Sequence, residues 1–478
     1  MKEHRPVMTS STKPALASAA LAGLFLLSCC HTVIAGELTP KSIPIQIRLA
    51  EEMAANEDWA EAARRWLDVL YYFGPSDQEA RAEFELGRLA LHRGRSDLAV
   101  VQWETTVARY PDSVWSERAA NALKLLGEEP PTPVEAAQPC ITKDTPADER
   151  QFLVAEGCLS QGLYAFAIRD FLKVTNLHPE SPRAAEARFR VGTCQAMLGR
   201  PDLAIEQWQR VIAESPQSPY ARTAHDGISA WRAVLEIGGI RGDGSVVDPG
   251  GTWRPFRIRG SAVDRGLSYA EDLYENANTE YALQEYAKVL CDIYTPNGGE
   301  NPYKDYARYH MGVCAYRLGS PQAAARQWRR LLADCPDSPW AQQANRALAA
   351  VGVTDAFSSE AGRPAPAVPD ALPSPLVQRY HLAAQLMDCE LPLVASKEYL
   401  KIIHVLTAGE PNPFQAEASY RLGECQHGRG RPDLAAAAWQ ETADTYPESE
   451  WAGKARAAIE HTRRRESVLS QSHPTSED

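Results

Sequence analysis

The most constraining feature of the chain is a segment that recurs four times with fixed internal spacing, beginning at Ala82, Ala187, Ala307 and Ala418. Each copy has an aromatic residue two positions after this alanine and a glycine three positions after the aromatic residue. A second glycine follows seven positions after the first, an alanine five positions after the second glycine, a tryptophan four positions after that alanine, and a proline eight positions after the tryptophan. In the third copy these residues are Tyr309, Gly312, Gly319, Ala324, Trp328 and Pro336. Chance does not preserve so many columns at one spacing, so the fold is predicted to be built from a repeated unit.

The spacing predicts a hairpin of two helices. The first glycine falls in the middle of one helix, where the absence of a side chain lets a second helix approach its backbone. The second glycine ends that helix and makes the turn, and the alanine and tryptophan, four residues apart, share one face of the second helix. The proline stops the second helix, and the serine that follows, as in Pro336 and Ser338, is a good N-cap for the next one.

This pattern resembles the tetratricopeptide repeat, whose consensus has small residues at the close-packing points, an aromatic residue in the second helix and a terminal proline. The Tyr-Pro-x-Ser phrases at 110–113 and 446–449 are most similar to the periplasmic branch of that family, which includes the Tol-Pal division coordinator and an outer-membrane-protein assembly lipoprotein. The resemblance implies an all-α solenoid in which the first helix of each hairpin lines a concave groove. The implied ligands are extended or helical segments of other proteins.

A more divergent copy precedes each of the four. Its alanine and aromatic residue, four apart, are Ala62 with Trp66, Ala167 with Phe171, Ala282 with Tyr286 and Ala395 with Tyr399. After each consensus copy a further helix is predicted, which covers the apolar face of the hairpin before it. The chain is therefore predicted to hold about eight hairpins in four blocks, at 40–127, 148–238, 263–352 and 376–464.

Segments rich in proline and glycine are predicted to link the blocks, at 128–147, 239–262 and 353–375, and residues 465–478 are predicted to be a disordered tail. An array of blocks agrees with the length, because a single core stops growing at about 250–300 residues. The sequence leaves open whether the blocks form one superhelix or separate beads, and we favour a continuous but jointed array.

The N-terminus has the pattern of an export signal. Lys2, Arg5 and Lys13 precede an uncharged run, and cleavage before Gly36 gives a signal peptide of residues 1–35. Two alternatives remain open. Cys29 follows a lipobox-like Leu-Leu-Ser and is a candidate for lipidation, or the run stays uncleaved as an anchor. All three place the rest of the chain outside the cytoplasm, in the periplasm or at the outer membrane.

The net charge of −12 argues against nucleic acid as a partner, because binding to phosphate backbones needs clustered lysine and arginine. The chain has ten cysteines, and Cys194, Cys314 and Cys425 occupy one repeat column in which the first copy has Leu89. That substitution indicates a small buried apolar site. The sequence assigns no disulfide partners.

No motif for catalysis, metal binding or a cofactor occurs in the sequence. Cys425 and His427 are two residues apart on a predicted helix, so their side chains point to different sides and do not chelate one metal. We therefore predict neither an enzyme nor a bound metal or cofactor.

The candidate partner-binding residues lie on or just before the first helices of the consensus hairpins. They combine the repeated aromatic column, positions at which the copies differ, and a tyrosine-rich face of the third block. The candidates are Phe84, Arg88, Phe189, Tyr303, Tyr306, Tyr309, Tyr316, Tyr420, Glu424 and His427. The alternative for the aromatic column is packing, and for the tyrosines an ordinary half-buried helix face.

The function that follows is an exported, non-catalytic scaffold that binds proteins of the bacterial cell envelope through its groove. A self-associating structural or spacer protein is the alternative, and an enzyme with an unrecognised site between blocks is the third.

Overall fold

The computed structural model describes residues 43–74, 76–132, 141–238, 261–295, 301–351, 375–404 and 412–472. The chain divides into two compact units, Met1–Lys41 and Ser42–Asp478, and the second contains all the described residues. The predicted signal peptide, Cys29 and most of the predicted linkers lie outside them. No helix in the described ranges combines the length and the apolar character needed to cross a bilayer.

The described residues form twenty α-helices and no strand, which confirms the all-α class. The helices fall into four groups of five. In the first block they are α1 Ile43–Ala55, α2 Trp59–Leu67, α3 Glu79–His92, α4 Ser96–Arg109 and α5 Val114–Leu126, with a π-helical turn at Asp68–Tyr72 that continues α2. In the second they are α6 Ala147–Ser160, α7 Tyr164–Leu177, α8 Ala184–Met197, α9 Pro201–Glu214 and α10 Pro219–Gly238.

The third block contains α11 Ala262–Glu275, α12 Thr279–Leu290, α13 Lys304–Arg317, α14 Pro321–Asp334 and α15 Pro339–Val351. The fourth contains α16 Pro375–Asp388, α17 Pro392–His404, α18 Gln415–Gly428, α19 Pro432–Thr445 and α20 Glu450–Ser472. In each block the first two helices form the divergent hairpin, the next two form the consensus hairpin, and the fifth is the terminal helix.

The consensus hairpins are held by a contact between the first glycine and the tryptophan. In the third block, a Cβ added to Gly312 would lie 2.3 Å from Nε1 of Trp328, so the indole ring occupies the space of the missing side chain. The same indole N–H donates to the carbonyl oxygen of Tyr309 at 3.1 Å. The other three blocks repeat both contacts. The predicted close approach is therefore confirmed, and the group that approaches the glycine is the tryptophan ring.

The second glycine of each consensus hairpin makes the predicted turn. Gly94, Gly199, Gly319 and Gly430 have φ between 72° and 83°, a left-handed conformation that costs least for glycine. The serine cap is formed as well: Ser113 accepts a hydrogen bond from the backbone N–H of Ser116 at 3.1 Å. The divergent hairpins turn at the equivalent position with the same backbone, at Glu57, Gly162, Ala277 and Glu390. Three of these are not glycine, which is why the sequence shows the turn less clearly.

The divergent hairpins of successive blocks contact one another. The π-helical turn after α2 packs on α6, α7 packs on α11, and α12 packs on α16. The fourth block also contacts the first. Arg429 donates to Asp58 at 2.7 Å, and Lys397 pairs with Glu61 at 3.0 Å. Arg429 and Asp58 are 371 residues apart in the chain, and no pattern in the sequence predicts this closing contact.

The glycine–tryptophan contact makes a stability prediction. Gly312→Ala is expected to destabilise the protein by about 1–3 kcal/mol, because the new methyl group overlaps the buried ring of Trp328. Gly453→Ala is the matched control, since Gly453 also lies in a helix but has nothing within 4 Å of an added Cβ. That change is expected to raise stability by about 0.5–1 kcal/mol. Urea denaturation measures both, and equal effects of the two substitutions would contradict the proposed contact.

Candidate functional site

The repeated aromatic column packs inside each consensus hairpin. Its residue lies beside the tryptophan of the second helix and the aromatic residue that begins the terminal helix. The ring centroids of Tyr309 and Trp340 are 5.3 Å apart, and those of Phe84 and Trp115 are 5.4 Å apart. Phe189 and Tyr420 make the equivalent contacts. These contacts support the packing alternative, and a role of the column in partner binding stays a prediction.

The tyrosines of the third block occupy different environments. Tyr306 is 8% exposed and its hydroxyl donates to the buried carboxylate of Glu271. The hydroxyl of Tyr303 donates to Asp264 at 2.8 Å. Tyr309 is 4% exposed, whereas Tyr316 is 44% exposed. The structure thus presents only Tyr316 of these four as a large exposed ring.

The three polar candidates lie at the surface or near it. Arg88 pairs with Glu85 at 2.7 Å on its own helix, and Arg421 donates to Glu424 at 2.6 Å. The ring of His427 is exposed and lies near Trp439. Each of these side chains is accounted for by local contacts, and their part in partner binding stays a prediction.

Exposed apolar residues recur within one short stretch of the repeat, the three positions before the turn glycine, which sequence reasoning covered only in part. They lie at the C-terminal end of the first helix of the consensus hairpin, just before the turn glycine. We call these the rim residues: Leu91, Met197, Leu198, Tyr316 and Leu318. Their exposures lie between 37% and 59%, and they occur in three of the four blocks. In the fourth block the equivalent stretch is polar, and Arg429 there contacts Asp58.

The second helices of the divergent hairpins, α2, α7, α12 and α17, contact one another in a closed cycle, and we call them the central helices. Four contacts close the cycle: Arg64 with Asp170, Arg169 with Tyr281, Gln284 with Glu398, and Lys397 with Glu61. Three of these helices also carry an acid three residues before a lysine: Asp170 and Lys173, Glu285 and Lys288, Glu398 and Lys401. This recurring pair is visible in the sequence and was missed there.

Cations neighbour the buried carboxylates of the central helices. Burial opposes ionisation of Glu61, but Lys397 and Arg65 hold the pKa of its carboxyl well below the ordinary value. At Asp170, guanidinium groups outweigh burial in the same way and keep its pKa well below the ordinary range. These two carboxylates are therefore ionised at neutral pH and do not act there as proton donors. Their role in the fold is to hold neighbouring blocks together through ion pairs.

The cysteine column is buried as predicted. Cys194, Cys314 and Cys425 are free thiols with no exposed surface, and burial raises the pKa of Cys194 to about 12. Such thiols are poor nucleophiles, because the reactive form is the thiolate. Across the described ranges, no three histidine, cysteine, aspartate or glutamate side chains are grouped to hold a metal ion.

Comparison with protein families agrees with the hairpin geometry. One model of the tetratricopeptide repeat matches residues 47–114, 159–219 and 405–450, and a second model of the same repeat matches residues 306–338. The chain contains tetratricopeptide repeats. The matched segments include parts of all four blocks and of both kinds of hairpin.

Comparison with whole proteins adds little. No curated protein matches the sequence. A tetratricopeptide repeat protein from Parabacteroides merdae is 14% identical, with a TM-score of 0.18 over 66% of this chain and 98% of its own. The tetratricopeptide domain of P58(IPK) is 14% identical, with a TM-score of 0.16, and the match covers 90% of this chain and 99% of that domain. A circular tandem repeat protein is 12% identical, with a TM-score of 0.16, and the match covers 91% of this chain and 100% of its own. These TM-scores are too low to support any conclusion.

The buried carboxyl beside Tyr306 makes a pH prediction. Burial raises the pKa of Glu271 from 4.5 to about 8, although the hydroxyls of Tyr306 and Tyr286 favour its ionised form. Between these two values the folded state holds more protons at this site than the unfolded chain. The free energy of unfolding therefore decreases as pH rises, by up to about 1.4 kcal/mol per pH unit from this group.

Glu271→Gln keeps this side chain neutral and is expected to flatten that dependence. Urea denaturation between about pH 5 and about pH 8 measures it, with Glu460→Gln, an exposed helix residue, as the control that keeps the wild-type slope. Parallel slopes for wild type and Glu271→Gln would show that Glu271 does not bind the extra proton.

Proposed function

We propose that the protein is a non-catalytic scaffold that binds other proteins. The observation that carries this proposal is the match of the tetratricopeptide repeat in all four blocks, combined with exposed apolar residues just before the turn glycine in three of them. Repeats of this kind act by presenting surfaces to other proteins. The central helices contact one another and their charged side chains are largely buried, so the partner is expected to dock outside them.

The rim residues are the proposed contact points. An isolated exposed leucine needs no explanation, but exposed apolar residues within the same three-residue stretch in three blocks suggest a shared use. Tyr316 supplies a large ring at low entropic cost, and Met197 adapts to irregular surfaces. Because the rim residues repeat with the blocks, one partner that contacts several of them binds more tightly than one that contacts a single block.

We also propose that the protein is exported and acts in the bacterial cell envelope, where its partners are envelope components. The basic segment followed by an uncharged run within residues 1–35 supports export, and the Tyr-Pro-x-Ser phrases support a likeness to the periplasmic branch of the family. Cys29 gives a lipid-anchored form as the alternative to a soluble one.

Replacing Tyr316 with a photoreactive phenylalanine analogue tests the rim. Irradiation in intact cells is expected to give a discrete adduct with another protein, because a docked partner lies within reach of this exposed ring. The same analogue at Leu125, which is 87% exposed and is not a rim residue, is the control and is expected to give no such adduct.

An adduct of twice the mass of the chain would instead identify self-association, and the absence of any adduct at the rim positions would contradict the proposed surface. Leu318→Ser in the Tyr316-analogue protein is expected to lower the adduct yield several-fold, since the neighbouring apolar contact is lost.

The mass of the mature N-terminus tests export. Cleavage before Gly36 is expected, so a chain that begins there is the predicted product, and a chain that begins at an acylated Cys29 identifies the lipid-anchored form. Intact-protein mass spectrometry of material from the native host measures this. A full-length chain found only in the cytoplasm would contradict the proposed export.

A further inference from the structure

Eight charged side chains of α2, its π-helical turn, α7 and α17 form one connected set of ion pairs. We call this set the central charge network: Arg64, Arg65, Arg169, Lys173, Lys397, Glu61, Asp68 and Asp170. Five members are basic and three are acidic. Their side-chain exposures run from 0% for Asp170 to 25% for Lys173, so the network is largely removed from water.

The network holds an excess of two positive charges. In the described part of the chain, no fourth carboxylate lies within ion-pair distance of its five basic side chains. Burying uncompensated charge costs several kcal/mol for each ion, which a folded protein normally avoids by pairing. Contacts between blocks do not all show an excess of positive charge. At the contact between the second and third blocks, two basic residues, Arg188 and Arg210, pair with two acidic residues, Asp272 and Glu275.

The excess is concentrated around Asp170. This one carboxylate contacts Arg64 at 2.5 Å, Arg169 at 3.2 Å and Lys173 at 3.2 Å. Arg169 and Lys173 are four residues apart on α7, so two like charges lie on the same helix face, which destabilises a helix. The single carboxylate of Asp170 neutralises one of these charges and is shared with Arg64 as well. Burial lowers the pKa of Lys173, and Arg169, Arg64 and Lys288 lower it further against the opposing effect of Asp170.

The geometry leaves donors available at this face. The guanidinium of Arg169 is held over the rings of Phe166 and Tyr281, at 5.1 and 4.8 Å, and it donates to Asp170 through Nε and Nη2. Its Nη1 donates to no acceptor among the described residues. Lys173 is the most exposed member of the network, with 25% of its side chain exposed.

We propose that the Arg169–Lys173 face of α7 binds a small, doubly charged oxyanion of the phosphate type. Such an ion carries about two negative charges at neutral pH and three strong acceptor oxygens, which matches the excess of two. A guanidinium and an ammonium group are the side chains that bind it best, the first through directed hydrogen bonds and the second as a point charge. This site is separate from the rim residues and does not depend on the proposed scaffold function.

Calorimetric titration of the full mature chain with inorganic phosphate tests the site, at constant ionic strength set with chloride. One saturable site is expected, and Lys173→Gln is expected to weaken it at least about tenfold, because one of its two cations is lost. Lys173→Arg keeps the charge and is expected to retain binding. Lys454→Gln is the matched control, since Lys454 is an exposed lysine of α20 and is expected to leave binding unchanged.

A second arm uses glycerol phosphate in place of inorganic phosphate. Tighter binding of the ester identifies a phosphate group carried on an organic molecule, and tighter binding of inorganic phosphate identifies the free ion. The melting temperature gives an independent readout, because an ion that binds only the folded state raises it. The absence of a saturable site in wild type, or equal binding by wild type and a folded Lys173→Gln variant, would overturn the proposal.

Discussion

The tryptophan ring that covers a glycine is the contact on which the repeated unit depends. The ring fills the space where Gly312 lacks a side chain, and the N–H of Trp328 donates to a backbone carbonyl of the same helix. The contact of the ring with the glycine fixes the distance between the two helices, and the hydrogen bond fixes the rotation of the second helix about its axis. Because both are needed, neither residue varies among the four consensus hairpins. In the divergent hairpins a buried alanine such as Ala50 stands at the glycine position, and the aromatic residue is free to change.

Stacking of the hairpins buries the central helices and leaves the rim residues exposed. This difference in exposure decides which surfaces can contact a partner. The central helices face one another, so their polar side chains are buried and pair as ions. Just before the turns of three consensus hairpins, apolar residues are exposed to solvent. A scaffold function at the rim and an anion at the central helices are therefore compatible, because they use different helices of the repeated unit.

Much of the hairpin could be predicted because its determinants are local. Gly319 has a positive φ, Ser113 caps a helix, and Cys194 is buried, each as the spacing indicated. The candidate site was harder to predict. Tyr306 and Tyr316 are both tyrosines near a helix face in the sequence, yet one is 8% exposed and the other 44%. Periodicity identifies the face of a helix, but the packing of neighbouring helices decides which part of that face is covered.

The sequence by itself determined the repeated unit, because the residues that define a hairpin lie within about one repeat of one another and act through backbone conformation and short-range packing. The sequence also determined the number of blocks, because each consensus copy can be recognised from its own residues alone. Only the tertiary structure decided that Arg429 meets Asp58 and that Arg64, Arg169 and Lys173 share a single buried carboxylate. These contacts join residues from distant repeats, and small rotations accumulated over many helices set whether they meet.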